Sequence, residues 1–208
     1  EEADNYELGF RTNREHYNGA VALFYTRFDN RLIASSVINP ATGQPETFYV
    51  NAGASKAYGI EFSGVFQPDM FDRKLYFNAN VSFKKAELVD GFAGNPAGSQ
   101  LPDSPEWLMT GGVTYEPTEW LVANFSAKYT DIRYTDFNET YELESYLVAQ
   151  AYIDIGGPNN FGMPENVRLR FNVDNVFDKE VMSFGFTGSS FGRPLSPRTF
   201  QATVTVDF

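Results

Sequence analysis

Apolar and polar residues alternate along most of this chain. Between Leu75 and Lys84, residues Leu75, Phe77, Ala79, Val81 and Phe83 hold one parity, and Tyr76, Asn78, Asn80, Ser82 and Lys84 hold the other. Successive side chains on a strand point to opposite sides, so this stretch is a strand with one apolar and one polar face. Eight more segments carry the same period: Tyr6–Arg11, Tyr17–Ile33, Tyr58–Phe66, Trp107–Tyr115, Leu121–Tyr129, Leu147–Ile155, Val167–Asp174 and Arg198–Phe208. Two are less regular. The facing of Tyr17–Ile33 is open, since Val21, Leu23 and Tyr25 compete with Ala22, Phe24 and Phe28, and Gly111-Gly112 weakens the fifth segment.

No apolar run approaches the roughly 18 residues of a membrane helix, whereas most of these segments reach the about 9–11 residues with which a tilted strand crosses a bilayer. The pattern predicts an all-β protein, an antiparallel transmembrane β-barrel with one face toward lipid and the other toward its interior. The connections support it. Asn39–Pro45, Gly91–Pro105, Asp136–Glu144 and Gly185–Pro197 are long or rich in Gly, Pro and polar residues. Those near Asn13–His16, Gln67–Lys74 and Glu116–Thr118 are tight, with Gly156–Asn166 an exception. Nine is an odd number, and bacterial single-chain barrels have even ones. Open edges would leave backbone groups unpaired in lipid. The nine strands are therefore expected to be part of a larger barrel.

Composition sharpens this picture. Aromatics make up 16% of the 208 residues, suiting strands and interfacial girdles. Hydrophobic residues reach 42% while mean hydropathy is −0.35, so the apolar residues are dispersed among polar ones. A net charge of −11 and a pI near 4.5 exclude the basic footprint that nucleic acid needs. The absence of cysteine excludes a disulfide scaffold and thiolate-ligated zinc. The chain opens at Glu1-Glu-Ala-Asp without a signal peptide, as a mature protein or a fragment would.

Four stretches, in order, resemble the C-terminal barrel of TonB-dependent outer-membrane receptors. Asn5-Tyr-Glu-Leu-Gly-Phe-Arg11 is similar to the family's YELG strand, and Asn51-Ala-Gly-Ala-Ser-Lys-Ala-Tyr-Gly-Ile-Glu61 to its NAG…GxE strand. Val167-Arg-Leu-Arg-Phe-Asn-Val-Asp-Asn-Val-Phe-Asp-Lys179 resembles the NLFDK strand, with Val176 where Leu is commoner, and Pro197–Phe208 resembles the PRTF…F ending. Gly53 and Gly59 would relieve crowding or permit a kink, and Asn175 and Asp178 would tie down a turn at the rim.

The resemblance implies that residues 1–208 are the C-terminal portion of a barrel of about 22 strands, without its plug and N-terminal strands. It implies a bacterial outer-membrane location and TonB-dependent uptake of a scarce nutrient, a ferric siderophore first among them. The implied partners are the rest of the receptor chain (plug and remaining strands), the TonB complex through the N-terminal region, outer-membrane lipid, and the barrel-assembly machinery, for which Phe208 would be the signal. A porin-like, structural or adhesive barrel without energised transport is the alternative, and a soluble β-sandwich a third.

Catalytic and metal chemistry find little support in the residues. The single histidine, His16, sits at a predicted turn without zinc-ligand partners, and no G-x-S-x-G elbow or phosphate loop occurs. The protein is read as a transport protein, not an enzyme, with no cofactor and no metal site. Two loops carry the residue types of a binding site. Asp131–Glu144 is dense in carboxylates and aromatics; its acidic residues read as a solvated rim rather than a calcium loop. Phe184–Arg193 combines aromatics, glycine hinges and one cation, suited to a planar, anionic or metal-chelating ligand. The candidate cargo contacts are Tyr134, Phe137, Tyr141, Phe184, Phe186, Phe191 and Arg193.

Overall fold

The computed structural model describes residues 1–30, 32–38, 40–43, 45–51, 53–92, 94–157, 162–185 and 192–207. Its strands are β1 (Glu2–Asn13), β2 (Tyr17–Asp29), β3 (Leu32–Ile38), β4 (Pro45–Asn51), β5 (Ser55–Phe66), β6 (Leu75–Leu88), β7 (Trp107–Thr118) and β8 (Leu121–Thr130). They continue as β9 (Arg133–Tyr134), β10 (Glu142–Leu143), β11 (Tyr146–Gly156), β12 (Val167–Asp174), β13 (Met182–Gly185), β14 (Gly192–Pro194) and β15 (Thr199–Val206). Nine of them form one antiparallel sheet in the order β1-β2-β5-β6-β7-β8-β11-β12-β15. These correspond to the nine segments of alternating sequence. The others form three two-stranded hairpins, β3–β4, β9–β10 and β13–β14, within the long connections.

One expectation is corrected. The second segment does not run unbroken to Ile33, because the sheet strand ends at Asp29. Asn30 takes a left-handed φ of 54°, which breaks the extended backbone, and the chain then pairs with itself as β3–β4. Phe208 lies outside the described residues.

Register makes the apolar parity continuous from strand to strand. Phe10, Val21, Phe62, Val81, Met109, Tyr129 and Leu147 are successive cross-strand partners. So are Tyr17, Phe66, Phe77, Val113, Phe125, Ala151, Val173 and Phe200. A one-residue slip at any pairing would move a whole strand's apolar set to the other face, so this pattern fixes the register. It also settles the facing of β2: Val21, Leu23 and Tyr25 share the apolar face, and Phe24 stands on the polar one. Between the two bulky rows runs a file of small partners, Gly19, Gly64, Ala79, Gly111, Ala127 and Ala149.

The apolar face is open. Leu8 is 74% exposed, Phe10 70% and Phe200 72%, and no second layer covers them among the described residues. The accessible surface is 13308 Å², against about 9,700 Å² for a compact monomer of this mass. A β-sandwich would hide these side chains between two sheets, so that alternative is excluded. Most of the buried side chains sit at the long-loop end, where Ala86, Leu88 and Leu101 form a small core with Ala57, Phe92 and Phe137.

The opposite face is polar. Glu61 and Ser82, Asn124 and Thr114, and Asp154 and Arg170 meet across neighbouring strands there. Aromatics gather toward both ends of the apolar face. Tyr6, Tyr25 and Tyr58 are register partners near the long loops, and the Trp107 ring packs tilted against Phe83, with centroids 4.7 Å apart. At the short-turn end the Phe71 ring meets Tyr115 edge-on at 5.7 Å. The short turns are tied together: Gln67 N–H donates to the His16 carbonyl, and Arg73 donates to Asp69 and Glu15. His16 is half-buried beside Asp69, with Nδ1 3.7 Å from a carboxylate oxygen.

Candidate ligand-binding rim at the long-loop end

Four long connections leave the same end of the sheet: residues 30–54, 89–106, 131–145 and 175–198. Each is held by short-range chemistry before it meets its neighbours. In the β2–β5 connection, the side chain of Asn51 accepts from Gly53 N–H at 2.8 Å, and Gly53 takes a φ of 77° that few other residues tolerate. In the β6–β7 connection the chain folds back so that Leu101 N–H donates to Ala86 O and Gly98 N–H to Leu88 O, both close to 2.9 Å.

The β8–β11 connection is a small hairpin. Tyr134 pairs with Glu142, and Thr135 N–H donates to Tyr141 O at 2.9 Å. Its tip is closed by Asp136, whose Oδ1 accepts from Thr140 N–H at 2.9 Å and Tyr141 N–H at 3.1 Å. Partial burial pushes the Asp136 carboxyl up, but those amide donors outweigh it and hold the group below the usual aspartate range.

The β12–β15 connection starts with the turn predicted at Asn175 and Asp178. Asn175 is 4% exposed and left-handed at φ 51°. Its Nδ2 donates to the carbonyls of Lys179 and Ser196, both at 3.0 Å, and its Oδ1 accepts from Lys179 N–H at 2.8 Å. Asp178 accepts from Arg198 N–H at 2.8 Å, closing the loop at its other foot.

The candidate cargo residues fall into two groups. Tyr134, Phe137 and Tyr141 share the β9–β10 hairpin. Phe184 and Arg193 are register partners across β13–β14. Phe186 and Phe191 lie outside the described residues. Tyr141 and Phe184 are 38% and 44% exposed, and Arg193 is exposed. Phe137 is turned inward: its ring meets Phe92 edge-on at 6.0 Å and packs on the Leu88 core.

The two hairpins are in direct contact. A Cβ on Gly185 would collide with Thr135 Cγ2 and stand 3.0 Å from Leu143 Cδ1. Arg133 also crosses between them, and this residue was not among those singled out by sequence. No group of three or more metal-ligating side chains occurs among the described residues.

A wall with one apolar and one polar face, crowned at one end by packed aromatic hairpins, has a family counterpart. Residues 1–176 match the TonB dependent receptor-like β-barrel domain. The chain belongs to the TonB-dependent receptor family. It is 26% identical over 195 residues to the probable TonB-dependent siderophore receptor PiuA of Acinetobacter baumannii, covering 88% of this chain and 24% of PiuA. Its backbone follows the unliganded ferric citrate transporter FecA with a TM-score of 0.78 at 20% identity, over 99% of this chain and 31% of FecA. It follows the copper transporter OprC with a TM-score of 0.75 at 17% identity, over 99% of this chain and 32% of OprC. The chain thus spans about a quarter of the curated relative's length. Proteins named for ferric citrate and for copper share this fold.

Proposed function

We propose that this chain forms the C-terminal part of the barrel of a bacterial outer-membrane receptor that takes up a ferric siderophore with high affinity. The continuous apolar face across nine strands carries this reading: it has the width and dispersal of a lipid-facing wall, with aromatic girdles near both ends. The polar face then lines the lumen, and the long connections face the exterior. The free edges of β1 and β15 pair with the remaining strands of the receptor, whose plug sits against the polar wall. Energy reaches the receptor from the TonB complex through the N-terminal region, and the C-terminal strand ending at Phe208 is read by the barrel-assembly machinery. The protein transports and does not catalyse a reaction.

Siderophore cargo is favoured by the likeness to PiuA and by the rim. Ferric chelates are planar or globular, often anionic and rich in aromatic groups, which Tyr141, Phe184 and Arg193 suit by stacking and charge. Phe186, Phe191, Tyr134 and Phe137 complete the proposed set. The test is uptake of radioiron-loaded citrate, hydroxamate and catecholate chelates by cells whose only such receptor is the full-length protein. Energised uptake of one chelate is expected, lost when TonB is deleted or when the seven residues are replaced by alanine at unchanged surface level. Uptake that ignores TonB would support a porin-like pore instead.

A further inference from the structure

We propose that Arg133 is a positioning residue: it straps the β6–β7, β8–β11 and β12–β15 connections into one rigid rim and thereby sets the spacing of the aromatics that face cargo. The second half of this statement rests on the receptor reading above.

The geometry is that of a strap. Arg133 belongs to β9 and its side chain is only 3% exposed. Nε donates to Asp103 Oδ1 in the β6–β7 connection at 2.6 Å. Nη2 donates to the Ser183 carbonyl in β13 at 2.6 Å. The guanidinium lies 5.8 Å from the ring centroid of Tyr146, at the foot of β11. Asp103 N–H also donates to Tyr134 O at 2.7 Å, so the first junction is fastened twice. Close packing of Gly185 on Thr135 and Leu143 backs the second.

Only arginine suits this place. Its planar fork presents donors in fixed, divergent directions, whereas a lysine ammonium is a point that cannot reach both partners and lie against the ring. Nη1 is buried without a hydrogen-bond partner among the described residues. A buried donor left unpaired is unfavourable, so the guanidinium is held here by its other contacts. The consequence is mechanical. Tyr134 and Tyr141 are carried by one side of the strap and Phe184 and Arg193 by the other, so their separation is fixed before cargo arrives. Preorganisation of this kind raises affinity by removing the ordering cost from the binding step.

The experiment uses the full-length receptor in detergent. These 208 residues contain no cysteine, so spin labels can be placed at the exposed positions Ala97 and Glu180, on the two outer connections. Pulsed electron resonance should give one narrow distance distribution in the parent, and a broad one in Arg133→Ala and Arg133→Lys. Asp103→Asn, which keeps the shape of the acceptor, should lie between them and guards against a variant that fails to fold. The dissociation constant for the best radioiron chelate should rise by about tenfold or more in both Arg133 variants.

Unchanged distances in the Arg133 variants would overturn the strap. Broadened distances with unchanged chelate affinity would overturn its role in positioning. A parent that binds no iron chelate, yet broadens when Arg133 is replaced, would sustain the strap and remove the siderophore reading.

Discussion

Gly59 and Phe24 are partners across β2–β5, and the ring of Phe24 lies where a side chain on residue 59 would stand. A Cβ there would come 3.0 Å from Phe24 Cε1 and 2.9 Å from Lys84 Cα, and would overlap the Phe83 carbonyl oxygen. Gly59→Ala is therefore expected to destabilise the barrel by about 1–3 kcal/mol through overpacking against backbone. Gly111→Ala is the control. Its nearest neighbour would be Asn78 O at 3.8 Å, so there the reduced freedom of the unfolded chain should dominate and stabilise by about 0.4–1 kcal/mol. Urea unfolding of the full receptor in lipid, followed by tryptophan fluorescence, reads both; equal shifts would contradict the crowding at Gly59.

Neighbouring residues on β6 should respond oppositely to the same charge. Val81 lies between Phe62 and Met109 on the apolar face, and Ser82 lies beside Glu61 on the polar one. Val81→Arg is expected to cost about 2–4 kcal/mol in a bilayer, whereas Ser82→Arg gains a carboxylate neighbour and should fold with near-parent stability. Equal losses in lipid-vesicle unfolding would mean that the facing is wrong.

Asn175 closes its turn with three hydrogen bonds. Alanine there leaves buried carbonyls and an N–H unpaired, which costs about 1–3 kcal/mol, and adds the strain of a left-handed alanine. Glycine removes the bonds but tolerates the φ. The order of stability should be Asn, then Gly, then Ala, and the unfolding midpoints of the three proteins test it.

Acid should loosen the β9–β10 hairpin before the wall. The native Asp136 carboxyl is held below its ordinary value, so the stabilisation it provides is complete above about pH 3.9 and drains away as pH falls through the lowered native value. Asp136→Asn keeps an acceptor for the Thr140 and Tyr141 amides without a titrating group. Pepsin works in acid and its own rate changes with pH, so the variant serves as the reference: the ratio of parent to variant cleavage in the hairpin should rise as pH drops. Parallel pH profiles would show that Asp136 does not control the tip.

The wall was legible in the sequence because each strand states its own facing. Leu75 to Phe83 need no partner to reveal a period of two. Legibility failed where apolar residues occur on both parities: Phe24 stands on the polar face because Gly59 makes room for it, and Gly59 lies 35 positions away. The hairpins β9–β10 and β13–β14 are two to four residues per strand, too short for any period to emerge. Asn175 and Asp178 could be read as turn residues because their partners are local or at the turn's other foot. Arg133 could not. Its acceptors lie 30 and 50 positions away, in other loops, and one arginine in an acidic, aromatic stretch carries no signature of that.

Every strand of the large sheet is bonded only to the sheet strands just before and just after it along the chain. Within these nine strands no pairing waits for a distant segment, so each step joins ends separated by one connection, and its entropic cost grows only slowly with the length of that connection. Such a wall can be laid down one hairpin at a time, the last strand always serving as template for the next. Its circumference is then an additive property. A hairpin gained or lost changes the count of staves without redrawing the seams between the others, while the rim above each hairpin remains free to take on its own chemistry.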